Sequence, residues 1–173
     1  MKRIGSRTVY EGRIASVRVD EFRYEDGSTA EREVVDHPGA VVIAAHGGGV
    51  VWMVRQPREP VGEPALLELP AGKLDVPGES PLDCAKRELA EEVGKAASEW
   101  REVKRFYTSP GLLAERMIAF LASGLSDVEA RVGERIEAVP WPLDELDRAI
   151  AECADAKSLV AMLLLRDELP AHA

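Results

Sequence analysis

The spacing of apolar residues changes period along this chain, and the changes divide it into strands, a helix, more strands and closing helices. Residues 8–35 alternate, with Val17, Val19 and Phe22 on roughly one side and Asp26-Gly27 forming a hairpin turn before Glu31-Arg-Glu-Val-Val35. This alternation predicts an N-terminal meander of exposed antiparallel strands. Two apolar runs, Ala40-Val-Val-Ile-Ala-Ala45 and Val50-Val-Trp-Met-Val-Arg55, flank His46-Gly-Gly-Gly49 and predict a second hairpin. Leu66–Pro70, Trp100–Thr108 and Met117–Ala122 supply further strands. At about 100° per residue, Leu82, Ala85, Leu89 and Val93 form one apolar stripe, so residues 81–93 are predicted to be a helix. Ser80 suits its N-cap, Pro81 its first position, Asp83 an acidic capping box and Gly94 a left-handed close. Leu143–Ile150 and Ala156–Glu168 also have helical spacing, the second bringing Leu159, Met162, Leu163 and Arg166 together. Helices on both faces of a mixed sheet make the expected fold an α/β/α sandwich, an α/β (α+β) arrangement preceded by the strand meander.

The flank of the first helix beside its apolar stripe carries Glu92, Glu88, Glu91 and Arg87. Glu88 is three residues from Glu91 and four from Glu92, so like charges are neighbours at a cost of a few tenths of a kcal/mol per pair. A divalent cation would remove that cost. Arg87 lies four residues before Glu91 and can hold its carboxylate, although the same spacing also gives an ordinary surface salt bridge. Each residue alone suits a solvated helix face; the joint pattern Arg-Glu-Leu-x-Glu-Glu-x-Gly recurs by chance on the order of once in 10⁷ starting positions.

The chain has 173 residues, 46% of them hydrophobic, enough for one domain with a sizeable core. We read residues 1–38 as the meander and 39–173 as the sandwich of that domain. A net charge of -9 disfavours sequence-independent binding of nucleic acid. Cys84 and Cys153 form no metal-ligand spacing and are expected to be reduced. No apolar stretch approaches the ~18 residues of a membrane span, and no apolar segment follows the charged start Met-Lys-Arg-Ile-Gly-Ser-Arg, so cytoplasmic residence and no membrane partner are expected.

From Glu79 through Gly94 the sequence resembles the Nudix box of hydrolases that act on nucleoside diphosphates linked to another group. Two positions depart from that pattern: six residues rather than five separate Gly72 from Glu79, and Lys95 stands where an aliphatic residue is usual. The additional loop residue is expected around Val76-Pro77, with Gly78 absorbing it. Beyond the box, Val54-Arg55-Gln56-Pro57-Arg58, Glu68-Leu69-Pro70-Ala71-Gly72, Ser109-Pro110-Gly111 with Glu115-Arg116, and Asp155-Ala156-Lys157-Ser158-Leu159 resemble the ADP-ribose pyrophosphatase branch.

That resemblance implies a backbone carbonyl from Ala71 on a metal, Glu88 and Glu92 as carboxylate ligands, and Glu91 as a ligand directly or through a water. Oxygen donors of this kind suit two or three Mg²⁺ or Mn²⁺ ions. It also implies hydrolysis of ADP-ribose to AMP and ribose 5-phosphate, a homodimer sharing its pocket, and substrate contacts from Arg58, Arg55, Pro110 and Glu115. From the residues alone, Arg58 is equally an exposed arginine at a strand end, and Ser109-Pro110-Gly111 is equally a turn. The acid that activates or orients water is expected at Glu134, with Glu129 the alternative if the loop shifts register; both also suit a solvated loop. Phe22 or Tyr24 is a candidate to stack on adenine. His37, His46 and His172 form no triad or zinc pattern. Two other functions fit the same residues: hydrolysis of a GDP-sugar, dinucleotide or damaged nucleoside triphosphate, and catalytically silent nucleotide or protein binding.

Overall fold

The computed structural model describes residues 1–13, 15–129 and 135–169. Lys2–Glu11 (β1), Ser16–Arg23 (β2) and Thr29–Asp36 (β3) form an antiparallel three-stranded sheet. β1 begins six residues before the expected alternation. Gly27, at φ 83°, closes the β2–β3 turn, where Tyr24 N–H donates to the Ser28 carbonyl at 2.9 Å.

The second sheet is mixed. Ala40–Gly47 (β4), Val50–Arg58 (β5), Glu63–Glu68 (β6), Ala71–Lys73 (β7), Lys95–Tyr107 (β8), Arg116–Asp127 (β9) and Glu137–Pro142 (β10) run in the order β10-β5-β4-β9-β8, with β6 joined to β5 and β7 to β4. Every pairing is antiparallel except β4 with β9. The sequence did not predict β7 or β10. β7 has only three residues, and β10 contains Pro140 and Pro142; it pairs with β5 alone, so its missing N–H donors are tolerated.

Successive side chains of a strand point to opposite faces, and β4 uses both. Ala40, Val42 and Ala44 join the core under Leu146–Glu152 (α2) and Ala156–Glu168 (α3), while Val41, Ile43 and Ala45 join the core under Pro81–Val93 (α1). This two-core packing establishes the sandwich. Both α1 and α3 have the expected bounds. Residues Leu143–Glu145 form a 3₁₀ turn before α2 instead of its first turn. The buried residues of α3 are Ser158, Ala161, Met162 and Leu165, which share only Met162 with the expected group of Leu159, Met162, Leu163 and Arg166; the face turned inward includes Ser158, whose N–H is capped by Asp155. Among the described residues no helix is long and apolar enough to cross a membrane.

The two sheets are stitched at one point. Val35 N–H donates to the Leu112 carbonyl at 2.8 Å, and Ala114 N–H donates back to Val35 at 2.9 Å. The β8–β9 loop is thereby held at the end of β3.

Asp20 is the buried carboxylate of the N-terminal sheet. It accepts from the Ser6 hydroxyl at 2.6 Å, from Arg18 Nε at 3.0 Å and from Arg3 Nη1 at 3.3 Å. The Ser6 bond above all, then the two arginines against the opposing effect of burial, hold its carboxyl below the usual value. A depressed folded pKa contributes stability above the unfolded pKa of about 3.9, and that contribution is lost as pH falls through this range. Asp20→Asn should therefore lower unfolding stability by about 1–3 kcal/mol at pH 7, with the gap from the unsubstituted protein narrowing below about pH 4. Urea unfolding at both pH values measures it; an equal gap at each would disprove the assignment.

Candidate active site

Helix α1 is fixed at both ends before it presents any chemistry. Ser80 Oγ accepts Asp83 N–H at 3.2 Å, and Gly94 at φ 70° sends its N–H to the Ala90 carbonyl at 3.0 Å. The longer loop ahead of it closes on a turn in which Glu79 N–H donates to Val76 at 3.2 Å and Gly78 takes φ 80°.

Arg87 gathers the carboxylates of the ridge. Its Nε and Nη2 grip Glu79 at 2.8 and 3.0 Å, while Nη1 donates to Glu88 at 2.6 Å and to Glu91 at 3.2 Å. These contacts raise the Arg87 pKa, Glu79 contributing most, and lower that of Glu79. Glu92 turns the other way, is 8% exposed, and accepts Ala71 N–H at 3.1 Å. Burial pushes its carboxyl up to about 7, and burial also raises Glu88. Among the described residues, no three His, Cys, Asp or Glu side chains converge on a common point. A cation drawing Glu88, Glu91 and Glu92 together would have to pull Glu88 or Glu91 from Arg87, which would keep its two bonds to Glu79.

A Cβ at Gly72 would overlap the Glu88 carboxylate, so the Glu88 side chain would have to move aside. Cys84 lies beneath the ridge, and burial raises its thiol to about 12, so it stays protonated and is no nucleophile at neutral pH. The donor set of carboxylates beside the Ala71 backbone is all oxygen and suits a hard divalent cation.

Ala71, Gly72 and Glu88 line a cleft of about 690 Å³ together with Arg58, Glu115, Asp155 and Lys157. Arg58 is held from behind. Its Nε and Nη2 donate to the two oxygens of buried Glu68 at 2.7 and 2.6 Å, and Lys157 Nζ reaches the same carboxylate at 3.2 Å and Asp155 at 2.8 Å. Asp155 also caps α3 through Ser158 N–H at 3.0 Å, and Ser158 Oγ accepts Leu69 N–H at 2.7 Å. The segment leading to Ala71 is thus tied to the last helix.

Of the residues expected from sequence, Arg58, Ala71, Glu88 and Glu115 share this cleft, with Arg87, Glu91 and Glu92 on the adjoining helix. Pro110 lies elsewhere, in a mainly apolar cleft of about 530 Å³ with Phe22, Tyr24 and Tyr107. Arg55 lines neither cleft. Glu129 is exposed after β9, and Glu134 lies outside the described residues. The roles of Glu68, Asp155, Lys157, His37 and Thr108 were not anticipated. Glu68 and Lys157 meet across 89 positions of sequence, and no local pattern announces such a pair.

The NUDIX domain family matches residues 35–162, and the nucleoside diphosphate sugar hydrolase N-terminal domain matches residues 1–35. The chain belongs to the Nudix family. It is 36% identical over 180 residues to the ADP-ribose pyrophosphatase of Bacillus subtilis, covering 99% of this chain and 96% of that protein. It is 37% identical over 172 residues to the methanol dehydrogenase activator of Bacillus methanolicus, covering 95% and 92%. A crystal structure of an ADP compounds hydrolase superposes with a TM-score of 0.83 at 24% identity, covering 97% of this chain and 93% of that one, and so shares the fold. The matched residues include the whole Arg87–Glu92 ridge.

Gly72→Ala tests the closeness of the ridge to β7. The substitution should displace the Glu88 carboxylate, break its bond to Arg87 and cost about 1–3 kcal/mol of stability. Denaturant unfolding with a crystal structure of the variant measures both; an unmoved Glu88 would contradict the packing described.

Proposed function

We propose that this Nudix protein hydrolyses the diphosphate of ADP-ribose, or of a related nucleoside diphosphate sugar, to AMP and ribose 5-phosphate. The observation that carries the proposal is the carboxylate ridge of α1 opening into a cleft whose other wall holds Arg58, Lys157 and Glu115. The names of the full-length relatives support the substrate class.

Glu88, Glu91, Glu92 and the Ala71 carbonyl would hold Mg²⁺ or Mn²⁺, in a set of two or three ions. When bound, such cations neutralise charge on the diphosphate and make attacking water more acidic. The remaining work belongs to the chain. Arg58, its fork fixed by Glu68, holds a phosphate or ribose oxygen in place. Arg87 keeps Glu91 oriented, and the buried end of Glu92 on Ala71 N–H fixes the spacing between the helix and β7. Water forms a bond to one phosphorus, the bridging P–O bond breaks with its oxygen leaving on the other phosphate, and water's proton passes to a carboxylate from the segment between β9 and β10. Glu134 is the proposed acid, with Glu129 as alternative. Arg55 and Pro110 are proposed as more peripheral substrate contacts, Pro110 through the apolar cleft beside Phe22 and Tyr24.

The division at residue 38 into meander and sandwich is part of this proposal, as is cytoplasmic residence. Val9, Tyr10 and Leu112 are 50, 60 and 50% exposed, apolar area that supports pairing of two copies as a homodimer.

Purified protein with Mg²⁺ should release AMP and ribose 5-phosphate from ADP-ribose, and Glu92→Gln should lower turnover by roughly a hundredfold or more. Product chromatography on a panel including GDP-mannose and dinucleotides decides the substrate. Undiminished turnover in Glu92→Gln would sink the metal assignment; preference for a guanine nucleotide would sink the substrate.

A further inference from the structure

The mechanism above leaves a histidine unused on the cleft wall. His37 follows β3 and points into the cleft shared by Arg58, Gly72 and Glu88. Its environment determines which nitrogen carries the proton. Gly39 N–H donates to Nδ1 at 3.1 Å, so Nδ1 presents its lone pair and the neutral ring bears its proton on Nε2. That turn depends on Gly39, at φ 97°, where a Cβ would also press on the Arg116 carbonyl at 3.0 Å. Nε2 faces Glu115 Oε1 at 3.5 Å. The other oxygen of Glu115 accepts the Thr108 hydroxyl at 2.6 Å. His37 and Glu115 are each 19% exposed.

His37 is distant in sequence from Thr108 and Glu115, which stand at the two ends of one loop. Thr108 ends the β8 side of a loop, Glu115 ends its β9 side, and the Val35–Leu112 and Ala114–Val35 bonds hold that loop against the end of β3, two residues before His37. A carboxylate oxygen has two acceptor sites. Thr108 occupies one site on one oxygen and His37 Nε2 faces the other oxygen, so each oxygen of Glu115, a residue of the cleft wall, keeps a free acceptor site. Two acceptors side by side match two neighbouring hydroxyl donors, the pattern of a ribose vicinal diol.

We propose that His37 is a positioning residue, which with Thr108 orients the Glu115 carboxylate to accept both hydroxyls of a ribose vicinal diol. This inference rests on the ADP-ribose function proposed above. ADP-ribose presents vicinal hydroxyls on both the adenosine ribose and the terminal ribose, and either ribose satisfies the chemistry.

Steady-state kinetics with the full chain and Mg²⁺ tests it. His37→Ala should raise KM for ADP-ribose roughly fivefold to tenfold with kcat within about twofold, as expected for loss of one oriented hydrogen bond. His37→Gln, which retains a neutral N–H donor, should restore most of the loss. Adding His37→Ala to Glu115→Gln should raise KM no further, because His37 acts through Glu115. Substrates with 2-deoxyribose on the adenosine side or on the terminal side identify the diol: the His37→Ala penalty should vanish on whichever lacks the recognised hydroxyl. Multiplying effects in the double variant, or a penalty unchanged on both deoxy substrates, would overturn this proposal alone. Absence of ADP-ribose turnover by the unsubstituted protein would overturn the functional proposal and this one with it.

Discussion

Three carboxylates, Glu79, Glu88 and Glu91, meet one guanidinium on Arg87, and the geometry of the candidate site depends on that meeting. Like charges three and four residues apart strain an isolated helix only slightly. Here the cost is larger, because Glu88 and Glu92 are also drawn out of water, which raises both carboxyls. A helix accepts this only if its ends and its apolar face are secured independently. Ser80 and Gly94 secure the ends; Ala85, Leu89 and Val93, buried against Val41 and Ile43 of β4, secure the face. Arg87 then offsets part of the remaining repulsion. The fold thus holds an unfavourable electrostatic arrangement in a place where a cation would relieve it.

The same logic explains why β4 is so uniformly apolar. It is covered by α1 on one side and by α2 and α3 on the other, so neither set of alternate side chains can be polar. Its neighbours carry the site: β7 brings Ala71 and Gly72 to the carboxylate ridge, and the start of β9 brings Glu115 to the opposite wall. The central strand thus anchors both walls, β7 by direct pairing and Glu115 through the β9 strand that follows it.

Local signals made α1 legible in the sequence to the residue, since caps, period and punctuation all agreed. The strands of the sheet were found where apolar runs were long and missed where they were short or broken by proline, as at β7 and β10. The carboxylates of the box were legible because helix geometry alone puts them on one flank. Cys84 was not seen as core, nor Glu92 as buried, because their burial comes from β7 folding over the helix. For α3 the apolar residues occur nearly all round, so the period did not single out which stripe would face the sheet. The Glu68–Arg58–Lys157–Asp155 network and the His37–Glu115–Thr108 group were invisible for a different reason: each joins residues that only strand order makes neighbours.

Those two networks determine what Arg58 can contribute. A carboxylate as buried as Glu68 needs its charge answered within hydrogen-bond distance, and it takes Arg58 through two bonds and Lys157 through a third. Lys157 is further shared with Asp155. Three basic side chains line the cleft, Arg58, Lys73 and Lys157, against four acidic ones, Asp75, Glu88, Glu115 and Asp155, with Glu68 behind. Such a wall repels a diphosphate more than it attracts one. Arg58 therefore contributes direction rather than net charge: its fork is aimed by Glu68, and its attraction for phosphate is largely spent on that carboxylate. An anionic substrate in this cleft would need further positive charge, which cations on the α1 ridge would supply under the function proposed above. The balance of charge in the wall is in this sense the electrostatic counterpart of the Nudix box.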